Sequence, residues 1–149
     1  MKLTTKGKFA VTALLDMALN CKNSITPVTL HNISERQGLS LSYLEQLFVK
    51  LRRSGLVKSY KGPGGGYVLA KALNELNIAC IIQVVDDNMD ARACHGNINC
   101  KDNQKCLTHD LWNGLTNYVY DYLEKITLQD LVVDRLKLSN KEQIIFMRN

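Results

Sequence analysis

The chain of 149 residues has no long hydrophobic run. Nothing in it approaches the roughly 18 consecutive apolar residues of a membrane span, so no membrane-crossing helix is expected. Its opening, MKLTTKGKFAV, lacks the apolar core of a secretory signal, and the expected location is the cytoplasm. No serine–histidine–acid arrangement and no paired carboxylates suited to hydrolysis are found, which points away from an enzyme. Tight Cys-x(2–4)-Cys knuckles, the usual signature of structural zinc, are absent although the chain has five cysteines. Five is an odd number and the cytosol keeps thiols reduced. Metal or redox chemistry is therefore expected in preference to a disulfide framework.

What is present is ordinary in bulk, with 46% hydrophobic and 22% charged residues, but uneven in charge. The net +5 divides into 11 basic against 3 acidic residues over 1–72 and 8 against 11 over 73–149. A basic half joined to a mildly acidic half suits a polyanion-binding module with an appendage. A merely solvated basic face would look the same on charge alone.

Pattern separates these readings. In GKFAVTALLDMALN, Phe9, Ala10, Ala13, Leu14, Met17 and Ala18 form one broad apolar helical face. After Pro27, Thr29 can cap a short helix that Gly38 ends. In LSLSYLEQLFVKLRRSG, Leu41, Leu44, Leu47, Phe48 and Leu51 form a core stripe, leaving Ser42, Tyr43, Glu45, Gln46, Val49, Lys50 and Arg53 outward. Two short helices across a glycine turn, the second with a polar outer face, are a helix-turn-helix pattern. Glutamine can read adenine, glutamate can accept from cytosine N4, and serine is tolerant. Ser42-x-x-Glu45 is also a capping box, so both residues could simply start the helix.

The segment LVKSYKGPGGGYVLA reads as a β-hairpin with a glycine-rich tip, the form of a wing, with Lys61 placed to reach a phosphate or minor groove. A nucleotide-binding loop would need Gly-Lys-Ser/Thr followed by a helix, and here a strand follows.

Residues 94–109, CHGNINCKDNQKCLTH, have almost nothing apolar to bury. Thiolates and imidazole ligate zinc and iron–sulfur clusters. The spacing Cys94-x5-Cys100-x5-Cys106-x2-His109 is wide for one zinc ion and suits a loop wrapped around a larger group. His95 competes as a fourth ligand, but its position next to Cys94 makes joint ligation awkward. A thiol switch is a further reading. Cys21 and Cys80 lie in apolar segments and read as buried thiols. Beyond the loop, Leu111, Trp112, Leu115, Tyr118, Val119, Tyr122, Leu123 and Ile126 form a long apolar stripe that suits a partner helix in a second chain.

The stretches LTTKGKFAVTALLDMAL, ISERQGLSLSYLEQLF, LRRSGLV, KGPGGGYVL, VVDDNMDA and the cysteine loop through CLTHDLW closely resemble the IscR family of bacterial iron–sulfur cluster regulators, over about residues 1–133. The resemblance implies a homodimeric transcription factor on double-stranded operator DNA, with one 2Fe–2S cluster per chain on Cys94, Cys100, Cys106 and His109. It also implies control of cluster-assembly genes and the assembly machinery as cluster donor. The expected fold is mainly α with a small β-hairpin wing. A winged helix-turn-helix domain spans 1–72. A linker helix, a cluster-binding loop (91–109) and a dimerisation helix (109–126) fall within 73–133, and a loosely held tail covers 134–149. Expected DNA contacts are Ser42, Tyr43, Glu45 and Gln46 on the helix, with Lys2, Lys6, Lys8, Arg52, Arg53 and Lys61 on phosphates. The chain departs from the family in having Lys61 where arginine is usual and fewer glycines in the ligand loop. A redox or cluster-carrier protein and a zinc-stabilised DNA binder are the rival readings. The SYLEQLF helix and GPGGGY wing argue against a carrier, which needs neither.

Overall fold

The computed structural model describes residues 4–21, 25–86, 90, 92, 94, 97–100, 102 and 104–147, the side chains of 144–147 excepted. Helix α1 (Thr5–Asn20) buries Ala10, Ala13, Leu14 and Met17, as its apolar spacing predicts. Helix α2 (Leu30–Gln37) is capped by Thr29, whose Oγ1 accepts the Asn32 N–H at 3.2 Å. It stops at Gly38, which takes φ +64°, a conformation glycine adopts without steric penalty.

Helix α3 (Leu41–Arg53) buries Leu44, Leu47, Phe48 and Leu51. Two expectations are corrected here. Leu41 is exposed, because it stands at the first helical position, ahead of the turn that meets the core. The cap is Ser40, whose Oγ accepts the Tyr43 N–H, so Ser42 and Glu45 sit inside the helix and form no capping box.

Strands β1 (Val57–Tyr60) and β2 (Gly66–Leu69) pair antiparallel with Val57 opposite Leu69 and Tyr60 opposite Gly66. Tyr67 anchors this wing from two sides. Its ring packs edge-on against Phe48 with centroids 4.9 Å apart, and its backbone exchanges two hydrogen bonds with Val28. Gly66 is needed because a Cβ there would come within 2.6 Å of the Val28 carbonyl oxygen.

After a 3-10 turn at Leu73–Glu75, the short helix α4 (Ile78–Val85) buries Ile78, Ala79, Ile81, Ile82 and Val85. Asn77 caps it, accepting the Cys80 N–H at 2.8 Å. It lies against α1 so closely that a Cβ on Gly7 would stand 3.0 Å from Ile82 Cγ2. Helices α5 (His109–Glu124) and α6 (Leu128–Met147) follow the cysteine loop. Their corner is stitched to the chain before α4 by Ile78 N–H donating to Ile126 O and Leu128 N–H donating to Leu76 O.

One apolar cluster therefore contains residues of α1, α2, α3 and β1 together with Leu76, Ile78, Ile81, Ile82, Val85 and Leu128. No separate core begins at residue 73. The tail expected over 134–149 is helical as far as Met147, the end of α6. Residues 133–143 of it are exposed, so beyond Val132 the helix is held by local backbone bonding rather than by burial.

A buried carboxylate locks α1 to α2. Asp16 has only 1% of its side chain exposed and accepts from Arg36 Nη2 at 2.6 Å, Arg36 Nε at 3.1–3.2 Å and Gln37 Nε2 at 2.7 Å. The bond to Asp16 raises the Arg36 pKa further. Removing either partner should have unequal consequences. Arg36→Met leaves an under-paired buried charge and should cost about 3 kcal/mol or more. Asp16→Asn keeps some hydrogen bonding and leaves a partly exposed arginine that water can solvate, so it should cost roughly 1–2 kcal/mol. Urea unfolding monitored by circular dichroism checks the order, and equal losses would contradict it.

Candidate metal centre and nucleic-acid interface

The cysteine loop closes on the first residue of α5. The His109 N–H donates to Cys106 O at 3.1 Å, and the Cys94 carbonyl accepts the Asn97 N–H at 2.9 Å. These turns bring residues 15 apart in sequence into contact. His109 Nδ1 lies 3.7 Å from Cys94 Sγ and 3.5 Å from Cys100 Sγ. One donor atom from each of Cys94, Cys100 and His109 falls within 4.8 Å of the others. Cys94 and His109 are buried, and Cys100 is half-buried.

Cys106 stands slightly apart, with its sulfur 4.0 Å from Thr108 Oγ1, but it lines the same cavity of about 470 Å³. Arg92, Asn99, Thr108 and Trp112 complete the wall. His95 lies outside the described residues. Cys80 on α4 and Cys21, whose thiol donates to Thr26 O at 3.3 Å, are half-buried where full burial was expected, and neither joins the Cys94–Cys100–His109 group.

Crowding shapes the sulfur chemistry. A backbone hydrogen bond from Cys106 lowers the Cys100 pKa, but the contact with Cys94, burial and the Cys106 side chain push it up, and the net direction is upward. A cation placed among these sulfurs would reverse that, since metal coordination favours the thiolate. The loop also carries backbone cost. Ile98 and Asp102 take φ of +53° and +49°, in the region that favours glycine. These two residues are where the scarcity of glycines in this loop is felt.

The arm leading to Cys94 is fastened to α5 by groups that sequence reading missed. Arg92 Nε and Nη2 donate to the two carboxylate oxygens of Asp90 at 2.7 and 2.6 Å, and Nη1 donates to Asn113 Oδ1 at 2.7 Å. The signal was present as Asp-x-Arg just before the first loop cysteine, but nothing in a linear pattern shows that Asn113 receives it.

The second site is the outer face of α3. Ser42, Glu45, Gln46, Arg52, Arg53 and Lys61 are exposed, as are Lys6 and Lys8 at the start of α1. Lys2 lies outside the described residues. Tyr43 is less available than its neighbours, because its ring packs edge-on against Phe9 at 5.7 Å. Lys6, Tyr43 and Gln46 share a small hollow with Lys50 and Val85. Lys50 is exposed, as expected, and its ammonium also donates to the Val85 carbonyl at 3.3 Å, tying α3 to the end of α4. Arg52 reaches Ser59 Oγ on β1 at 3.5 Å, which leans it toward the wing. No helix among the described residues is long and apolar enough to cross a membrane.

Comparison with known proteins gives one consistent picture. The family profile Rrf2, described as an iron-dependent transcriptional regulator, matches residues 3–134. The chain is 52% identical over 132 residues to the HTH-type transcriptional regulator IscR of Pectobacterium carotovorum, covering 89% of this chain and 79% of that one. It is 49% identical over 146 residues to IscR of Vibrio atlanticus, covering 97% and 83%. Among solved structures it is similar to T. potens IscR, with a TM-score of 0.72 and 36% identity over 91% of this chain and 88% of that one. It is also similar to CymR, the global cysteine regulator of B. subtilis, with a TM-score of 0.74 and 31% identity over 89% and 97%. These relatives are transcriptional regulators and not enzymes, and the helices with their two-stranded wing form a winged-helix fold.

The Asp90–Arg92 pair makes the site acid-sensitive in a defined window. Hydrogen bonding from Arg92 holds the Asp90 carboxyl at about 2, below its ordinary 3.8, with burial opposing and Thr116 assisting. Because the folded-state value is depressed, the pair's contribution is complete above about pH 4 and is lost as pH falls toward 2. Arg92 is the charged group facing it, with Tyr120 nearby. Emission of Trp112, the only tryptophan, should change across that window in metal-free protein and change less in Asp90→Asn.

Proposed function

The chain belongs to the Rrf2 family of transcriptional regulators, and on that premise we propose that it senses iron–sulfur cluster supply through one 2Fe–2S cluster per chain and controls cluster-assembly genes. The observation that carries this reading is the meeting of Cys94, Cys100 and His109 donor atoms within 4.8 Å at the start of α5. Two thiols and an imidazole are the donor types that such clusters use, and Cys106 offers a third thiol on the same cavity. The residues present therefore fit the group. The cavity is far roomier than one ion needs, which favours a cluster over a single zinc.

Cys94, Cys100, Cys106 and His109 would hold the cluster. When bound, it supplies bonds that cross-link the loop and a charge that follows its oxidation state. The chain's own residues do the rest. Cys94 and His109 join the arm to α5, and Arg92 and Asp90 hold that arm in place. On DNA, Ser42, Glu45 and Gln46 would face base edges in the major groove. Lys2, Lys6, Lys8, Arg52, Arg53, Lys61 and the Tyr43 hydroxyl would meet phosphates. A carboxylate among phosphates is unfavourable unless it accepts a hydrogen bond. Glu45 would therefore penalise sites lacking a suitably placed cytosine, by about 1–3 kcal/mol per misread pair.

The apolar residues of α5 divide between two neighbours. Val119, Tyr120 and Leu123, with Ile126 just beyond the helix, pack on the chain's own core, whereas Leu111, Trp112, Leu115, Tyr118 and Tyr122 are exposed. We assign the exposed set to a homodimer contact that would space two recognition helices by a whole number of DNA turns. The cytoplasm is the compartment this function requires, and the assembly machinery is the proposed donor of the cluster.

Anaerobically purified protein should contain iron and acid-labile sulfide in equal amounts with visible absorption, and alanine at Cys94, Cys100 or Cys106 should abolish the colour. Stoichiometric zinc without iron would end the cluster reading. Footprinting loaded and metal-free protein on a panel of operators at one salt concentration should show a change in relative site preference, and Glu45→Ala should broaden the set bound.

In sedimentation, Leu115→Asp should shift the protein toward monomer and weaken operator binding. A Leu115→Asp protein that remains fully dimeric would remove α5 from the interface.

A further inference from the structure

Arg92 lies two residues before Cys94 and lines the cavity that holds the thiols. Its guanidinium is committed on three sides, to both oxygens of Asp90 and to Asn113 Oδ1, and its own backbone N–H donates to Asp90 Oδ1 at 2.8 Å. Thr116 Oγ1 adds a long contact to Asp90 at 3.4 Å while donating to Trp112 O at 2.9 Å. His109, Asn113 and Thr116 are spaced i, i+4, i+7 and so share one face of α5. The helix face that presents the imidazole is thus the face that receives the clamp.

The clamp addresses a definite problem. Cys94 and His109 are separated by a loop with little apolar surface, and closing such a loop costs entropy that no core offsets. A salt bridge with two parallel hydrogen bonds and a third bond to α5 closes the arm by means that need no metal. The charge arrangement matters as well. Three thiolates make an anionic site. Arg92 lines the cavity, and Asp90 is not among its lining residues, so the cation is the nearer end of the pair.

We propose that Arg92 is a positioning residue of the metal centre. It ties the Cys94 arm to α5 through Asp90 and Asn113, and it sets a fixed positive charge beside the thiolates. The proposal rests on the thiolate–imidazole metal reading of the loop. It assigns a double role, and the two parts separate by substitution. Arg92→Gln removes the fork and the charge, and leaves Asp90 unneutralised. Asp90→Asn weakens the same clamp but leaves the arginine charge unneutralised. Arg92→Lys keeps the charge without the fork.

Cobalt(II) is the probe for positioning, read by its thiolate absorption. Arg92→Gln should bind it about 10–100-fold more weakly, in the range expected when a group that orients ligands is lost. Asp90→Asn and Arg92→Lys should also weaken it. In metal-free protein each variant should alter Trp112 emission, because Trp112 shares the wall. The charge role is read from the midpoint potential of cluster-loaded protein. It should fall in Arg92→Gln and rise in Asp90→Asn, since added negative charge disfavours reduction and added positive charge favours it. A purely structural role would move both variants the same way.

If wild-type protein binds cobalt and Arg92→Gln binds it equally well with unchanged emission, the positioning role is overturned. Potentials shifted in the same direction by both variants would overturn the charge role. Wild-type protein that binds neither cobalt nor iron would overturn the metal reading, and this proposal with it.

Discussion

The close approach of α4 to α1 is the constraint on which the rest of the structure depends. Helix α4 is short, yet Ile78, Ile81, Ile82 and Val85 are all buried, and each such side chain is worth about 1.5–3 kcal/mol when removed from water. Gly7 helps it sit at that depth, since a Cβ there would stand 3.0 Å from Ile82 Cγ2 and force the neighbour to shift. Three further features hang on its placement. The α5–α6 corner pairs with the backbone at its amino end, Lys50 of the recognition helix bonds to its last carbonyl, and the ligand arm departs from its carboxyl end. A bulkier residue at position 7 would press on Ile82 and so on the helix that these three features share.

The junction at Asp86 extends this. Its side chain accepts a hydrogen bond from Thr4, the residue just before α1, and its backbone N–H closes the last turn of α4 on Ile82. The residue that precedes α1, the last turn of α3 and the start of the ligand arm therefore converge on two consecutive residues, Val85 and Asp86. Burial and hydrogen bonding meet there within one small region. It is where the chain passes from a densely packed helix to a polar loop.

Sequence reading recovered the elements where one local force dominates. Thr29 and Gly38 delimit α2 because a cap and a left-handed glycine are local devices. The wing was legible from its glycines, and α1 from its apolar spacing. Reading failed where tertiary context decides. Ser40 and Ser42 are both competent caps, and only the packing of Leu44 and Leu47 settles which one begins the helix. Lys50 is the surface cation it looked like, but its bond to a backbone carbonyl 35 residues away is not visible in a linear pattern. The end of the chain looked loose because its composition is polar, yet α6 persists to Met147. At the candidate metal centre the donor types could be named from spacing, whereas the Asp90–Arg92–Asn113 clamp depends on a helix face that a linear pattern does not display.

The ligand loop contributes almost nothing to the core. Between Val85 and His109, Asp86 and Cys94 are the buried positions among the described residues, and two loop residues sit in backbone conformations that disfavour them. Ordering this segment and folding the domain are thus separate transactions, unlike a zinc finger, whose fold exists only with its metal. A regulator built this way keeps its DNA-reading surface assembled whatever the state of its sulfur ligands. Under the proposed function the signal would pass as a change in how preformed parts lean on one another, with no need for the protein to unfold.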